Sequence, residues 1–171
     1  MDLRLFHVSE EADIAKFSPR KPSRDVGKDV GLVWSINEKC LPNFLTPRDC
    51  PRVTYHAGEN ATTEDVEQFF TSSARHCVII EDDWFKRVAQ TTLYIYEFNP
   101  KNFYLLDDVA GYYVSEREEK PIASRRVDDV FEELLDRNVE LRVVQNLWHW
   151  AYKVQKSSLN WSFCRMRYAK K

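Results

Sequence analysis

A single α+β domain, its mixed and mostly antiparallel sheet flanked by helices, is predicted by three observations. Short runs with a two-residue period, such as residues 3–9 and 93–98, alternate along the chain with stretches of helical period. Several links between consecutive elements are shorter than the dozen or so residues that a parallel crossover needs. At 171 residues the chain is long enough to bury one core and short for two.

Residues 3–9 read as a strand, with Leu3, Leu5 and His7 on one face and Arg4, Phe6 and Val8 on the other. Residues 18–29 carry two prolines, a glycine and many charges, and so read as a mobile surface loop. Residues 32–36 form a second strand, and Asn37 can cap a short turn that carries Leu41 towards Phe44, limited by Pro42. Pro47 and Pro51 bracket Arg48, Asp49 and Cys50 and lead stiffly into a strand over 52–56. Thr62 or Thr63 caps a helix with Val66, Phe69 and Phe70 as its apolar stripe. A buried strand over 76–80, a short helix over 84–89 and a tyrosine-bearing strand over 93–98 follow. Residues 111–115 read as strand, and Val127, Val130, Phe131, Leu134 and Leu135 fall at the spacing of an amphipathic helix. A strand over 140–144, a helix over about 147–155 behind Asn146, and a strand over 161–168 complete the pattern.

Lys and Arg number 25 against 27 Asp and Glu, a net charge of -2 that argues against wrapping duplex nucleic acid. The balance is uneven: Lys153, Lys156, Arg165, Arg167, Lys170 and Lys171 face no acid in the same stretch. Cys40, Cys50, Cys77 and Cys164 stand singly, without the paired spacing of a zinc ribbon or a redox motif, and read as reduced thiols of a cytoplasmic protein. No apolar run approaches the ~18 residues that would span a bilayer, so no membrane partner is expected. His56, His76 and His149 lack ligand spacing, so no metal is expected.

His7 and Ser9 point the same way at the end of the first strand, which suits a ring nitrogen and a hydroxyl meeting one ribose. A core histidine satisfied by backbone is the alternative. Arg48 and Arg52 flank a stiff turn and could clamp phosphate or carboxylate, with Thr54 and His56 on the Arg52 face. Equally, Asp49 could pair with one arginine and fix the turn. Cys50 would have a depressed pKa if those arginines lie close, but no base for a nucleophile is identifiable and an inert structural thiol is the plainer reading. Tyr112, Tyr113, Ser115 and Glu116 end a strand with hydroxyls and a carboxylate, and Glu116 could stabilise an oxocarbenium-like ribose. A solvated turn over 116–120 is the plainer reading. Trp161, Phe163, Arg165, Arg167 and Tyr168 interleave aromatic and basic groups, as a base-stacking strand or as a core strand with snorkelling arginines.

Over nearly its whole length the chain resembles a family of small bacterial proteins classed as a domain of unknown function. The likeness is carried by Leu5-Phe6-His7-Val8-Ser9, Leu41-Pro42-Asn43, residues 47–54, Ala110-Gly111-Tyr112-Tyr113-Val114-Ser115, Glu140-Leu141-Arg142, Asn146-Leu147-Trp148, and the stretch from Ser158-Leu159 through Arg165-Met166-Arg167. The first quarter and the Tyr-Val-Ser-Glu strand also resemble the ADP-ribosyltransferase group that includes the RNA 2'-phosphotransferases. That resemblance implies NAD as substrate and no metal, with His7 as the NAD-binding and catalytic histidine, Ser9 as the hydroxyl after it, and Trp34 where the group usually has tyrosine. Glu116 would be the catalytic acid and Tyr113 a neighbour of the nucleotide, with chemistry of transfer or glycohydrolysis at the nicotinamide ribose. His7, Ser9, Trp34 and Arg48 or Arg52 are then expected to line one pocket that Glu116 borders. The alternative is a non-catalytic module for RNA or a phosphorylated metabolite, using Arg48, Arg52, Arg165 and Arg167.

Overall fold

The computed structural model describes residues 2–22, 27 and 30–171. Residues 23–26, 28 and 29 of the expected mobile loop lie outside the described residues. In chain order the elements are β1 (Leu5–Ser9), β2 (Val33–Asn37), β3 (Arg52–His56), α1 (Thr63–Phe69), β4 (His76–Glu81), α2 (Phe85–Gln90) and β5 (Leu93–Phe98). There follow β6 (Tyr104–Asp107), β7 (Tyr112–Ser115), β8 (Pro121–Val127), α3 (Val130–Asp136), β9 (Glu140–Val144), α4 (Leu147–Val154) and β10 (Asn160–Cys164). The class is α+β, and the chain divides into two compact units, each assembled from two separate stretches.

The first unit joins Met1–Leu41 to Leu93–Arg126 around a six-stranded sheet of order β6-β7-β2-β1-β5-β8. Strand β1 is central, antiparallel to β2 through Leu5↔Asn37 and to β5 from Leu5↔Phe98 to Ser9↔Tyr94. Leu5, Val33 and Phe98 are buried together, with Phe17, Phe103 and Tyr113 packed against them. The segment after β1 folds back over this face. The Tyr96 hydroxyl donates to the Glu11 carbonyl at 2.7 Å and accepts from the Ile14 amide at 3.1 Å. Phe17 exchanges backbone hydrogen bonds with Glu119 and packs its ring edge-on to Tyr96 and Phe98.

The second unit joins Pro42–Thr92 to Val127–Lys171 around a four-stranded sheet of order β10-β3-β4-β9. Its pairs are antiparallel except β4 with β9, which is parallel. One face carries Val53, Tyr55, Cys77 and Ile79 and is covered by Phe69, Phe70, Leu147, Ala151 and Val154 from α1, α4 and their surroundings. Caps start two helices where the sequence places them. Thr62 accepts from the Asp65 amide, and Asn146 accepts from the Trp148 amide. Glu81 is 1% exposed and accepts from the amides of Leu147 and Lys170, which ties the start of α4 and the C-terminal segment to the end of β4.

Four elements differ from the sequence reading. The amphipathic helix begins at Val130, because Asp129 accepts from the amides of Phe131 and Glu132 and thereby sets the cap; Val127 instead closes β8. Strands β6 and β8 carry no usable alternation, and five of the seven residues of β8 are exposed. The last strand stops at Cys164, because Arg165 turns to φ 56° and starts a 3-10 turn over Met166–Tyr168.

Candidate functional site

The period of β1 sets the centre of the site. His7 lies on the Leu5 face, opposite Tyr96 of β5, half-buried with its ring centroid 4.8 Å from that of Phe17. Its Nδ1 is 3.0 Å from the Trp34 carbonyl of the neighbouring strand. A carbonyl only accepts, so Nδ1 carries the proton, and in the neutral ring Nε2 is left with a lone pair. Neutrality is favoured: burial lowers the His7 pKa below its ordinary value, opposed by the Trp34 carbonyl and assisted by Arg20.

Ser9 shares the His7 face by the two-residue period, and its Oγ accepts from the Glu11 amide at 3.1 Å. Tyr113 pairs with Ser35 and packs on the Leu5 side, so His7, Ser9 and Tyr113 come to one face. Trp34 does not join them as a side chain. It pairs with Val114, one residue out of phase with Ser35, and its indole meets Tyr112 edge-on at 5.3 Å on the opposite face. Only its carbonyl reaches His7.

Glu116 also departs from the shared pocket. Strand β7 ends at Ser115, and the exposed Glu116 carboxylate accepts from the hydroxyl of Tyr104, which pairs with Val114 on the Trp34 side. A second carboxylate, Glu119, meets Ser115, which shares the face of Tyr113. It is 7% exposed, accepts from the Ser115 hydroxyl at 2.6 Å, and its backbone holds Phe17. The charge run over 116–120 hid it; the signal was Ser115, in phase with Tyr113 and four residues before it.

In the second unit Arg52 is 4% exposed and donates from Nε to the Asn43 carbonyl at 2.6 Å and from Nη1 to the Cys50 carbonyl at 2.9 Å. It fastens the proline-bracketed turn from within. Arg48 is exposed, and its carbonyl accepts from Arg165 Nε, which lies 3.9 Å from Asp49. The two arginines of the turn therefore do not form one clamp: one faces inward to carbonyls and the other outward. Cys50 is buried, as an inert structural thiol would be. Burial pushes its pKa up to about 12, and this outweighs the nearby guanidiniums of Arg52 and Arg87.

Thr54 and His56 follow Arg52 on the same buried face, where His76 Nε2 meets Asn43 Oδ1 at 2.7 Å and the two imidazoles stand 5.3 Å apart. Trp161 and Phe163 stack at 4.5 Å, but Arg165 leaves the strand and Arg167 folds over Tyr168 at 4.8 Å. The alternating aromatic and basic strand expected over 161–168 is thus cut in half. Recesses of about 400 and 430 Å³ occur in this unit, one beside α1 and α4 and one beside Phe131 and Leu135, and none of the expected site residues lines either. Among the described residues no group of three or more His, Cys, Asp or Glu could hold a metal ion, and no helix is long and apolar enough to cross a membrane.

A family of unknown function, DUF6886, is matched over residues 6–169, and the chain belongs to that family. No curated protein and no solved structure matches it.

Proposed function

We propose that this member of DUF6886 binds NAD or a related ADP-ribosyl compound on the His7 face of its first sheet, with transfer or hydrolysis at the nicotinamide ribose as its chemistry. The observation that carries the reading is the state of His7: neutral, with Nδ1–H tied to the Trp34 carbonyl and Nε2 able to accept from a ribose hydroxyl. The hydroxyls of Ser9 and Tyr113 on the same face add further partners for a diol. In hydrolysis the bond from C1' to nicotinamide breaks, the electron pair leaves with neutral nicotinamide, and water adds to C1' and releases a proton. A carboxylate beside the developing cation lowers that barrier, and on this face Glu119 takes the role first assigned to Glu116. The four cysteines are all free thiols, which fits a reducing, cytoplasmic location.

A melting-temperature scan with NAD, ADP-ribose, nicotinamide and AMP tests this. A ligand of the native state at a hundred times its dissociation constant stabilises by about 2.7 kcal/mol, and each kcal/mol moves Tm by roughly 2–4 °C at this size. NAD or ADP-ribose should raise Tm by several degrees in the wild type. His7→Asn keeps a donor for the Trp34 carbonyl and deletes Nε2, so its unliganded Tm should stay close to wild type while the ligand shift shrinks. Equal shifts in both proteins, or none with either compound at millimolar concentration, reject the reading.

The second reading is an RNA or phosphorylated-metabolite module at Arg48 and Arg165. It is supported by the contact of Arg165 with the Arg48 carbonyl, which sets the Arg165 guanidinium against the loop that carries Arg48.

A further inference from the structure

Helix α4 carries His149, Tyr152 and Lys153, with Lys156 in the turn behind it, at positions i, i+3, i+4 and i+7. That spacing lines one side of a helix, and Leu147, Ala151 and Val154 are buried on the other. Such a stripe is the ordinary place for solvated charge, and the helix dipole favours cations near a C-terminus. Three observations go beyond that explanation. The stripe and residues of α1, among them Asp65 and Phe69, wall a groove of about 400 Å³, a size typical of small-molecule sites. Tyr152 is 61% exposed beside Trp148, an aromatic surface that nothing among the described residues covers. Neither Lys153 nor Lys156 has a carboxylate partner among the described residues, whereas Lys170 pairs with Asp82 and Asp83. Lys153 instead lies 5.3 Å from the rings of Phe69 and Trp150. The one carboxylate of the groove, Asp65, accepts from the hydroxyl and amide of Ser158 at 2.6 and 2.7 Å.

We propose that this groove binds a nucleoside phosphate, with the base against Tyr152 and the phosphate between Lys153 and Lys156. Two point cations that pair with no acid, in a groove whose carboxylate Asp65 is held by Ser158, select an anion, and an exposed phenol ring selects a planar partner. A free nucleotide and a nucleotide within single-stranded RNA share this chemistry. The groove shares no residue with the His7 face, so the two sites fail separately.

Calorimetric titration with inorganic phosphate, AMP and an eight-residue oligoadenylate tests it on the full chain. The variant Lys153→Gln/Lys156→Gln should weaken AMP binding about tenfold or more, as expected for loss of charge-assisted contacts. Tyr152→Ala should weaken AMP and the oligonucleotide about tenfold, the size of one lost stacking contact, and leave phosphate unchanged. Lys153→Arg/Lys156→Arg keeps the charges and should keep binding. An oligonucleotide that binds tighter than AMP, with a log–log salt slope near about -1.4 for two lysines, identifies RNA as the source; equal affinities identify the free nucleotide. Absence of binding by both AMP and the oligonucleotide at millimolar concentration overturns the proposal. So does wild-type affinity in the glutamine pair, or a loss in the arginine pair as large as that in the glutamine pair.

Discussion

A histidine held neutral by burial makes its protein sensitive to acid. For His7 the folded-state pKa lies below the ordinary 6.5, chiefly through desolvation. As pH falls through about 6.5 the unfolded chain therefore takes up a proton that the folded one resists, and stability drops, by at most about 1.4 kcal/mol per pH unit from this group. The imidazole carbon signals should titrate below 6.5 by NMR, and titration at or above that value would contradict the desolvated, carbonyl-tied ring. Alternation in β1 made the His7 face legible in the sequence, because Leu5 marks the core side. It could not orient Trp34. Val33 and Ile36 are both buried, on opposite faces of β2, and Ser35 is buried too, so neither face of that strand is marked as the outer one. Glu119 was illegible for a different reason, since a run of charges looks solvated until the fold closes Ser115 and Phe17 upon one member of it.

Helix α3 shows how one side chain sets an element's start. Asp129 satisfies two amides that the first turn leaves open. Asp129→Ala should cost about 1 kcal/mol and lower Tm by roughly 2–4 °C; a variant melting with the wild type would show that packing of Val130 and Leu134 alone fixes the helix. The same residue explains why the apolar period misled at its upstream end. Val127 fits the helical spacing but is the single buried residue of β8, and periodicity cannot distinguish the two states where a strand ends within a turn of a cap. Helices α1 and α4, with their caps at Thr62 and Asn146, and the strands β3, β4, β5 and β9 were legible because local propensity and burial agree there. Edge strand β8, which starts with Pro121 and is mostly exposed, offers none of these signals.

At the scale of the molecule, neither compact unit is a contiguous piece of chain, and the DUF6886 match over residues 6–169 runs through both. A fragment of residues 1–92 holds β1 and β2 without β5 and β7, and β3 and β4 without β9 and β10. Two-stranded remnants are marginal in water, so this fragment should show no cooperative melt by circular dichroism; a sharp transition would mean that one sheet closes on half its strands. The pairing of Leu5 with Phe98 also has a meaning for synthesis. While the polypeptide is being made, β1 and β2 emerge from the ribosome long before β5 exists, and roughly 60 residues at ~5–20 per second separate them by several seconds. For that interval the strand bearing His7 keeps a bare, apolar edge in the crowded cell. The nascent chain is thus most exposed to mispairing through the segment on which the proposed ligand site depends, and its early survival rests on whatever shelters it until Phe98 arrives.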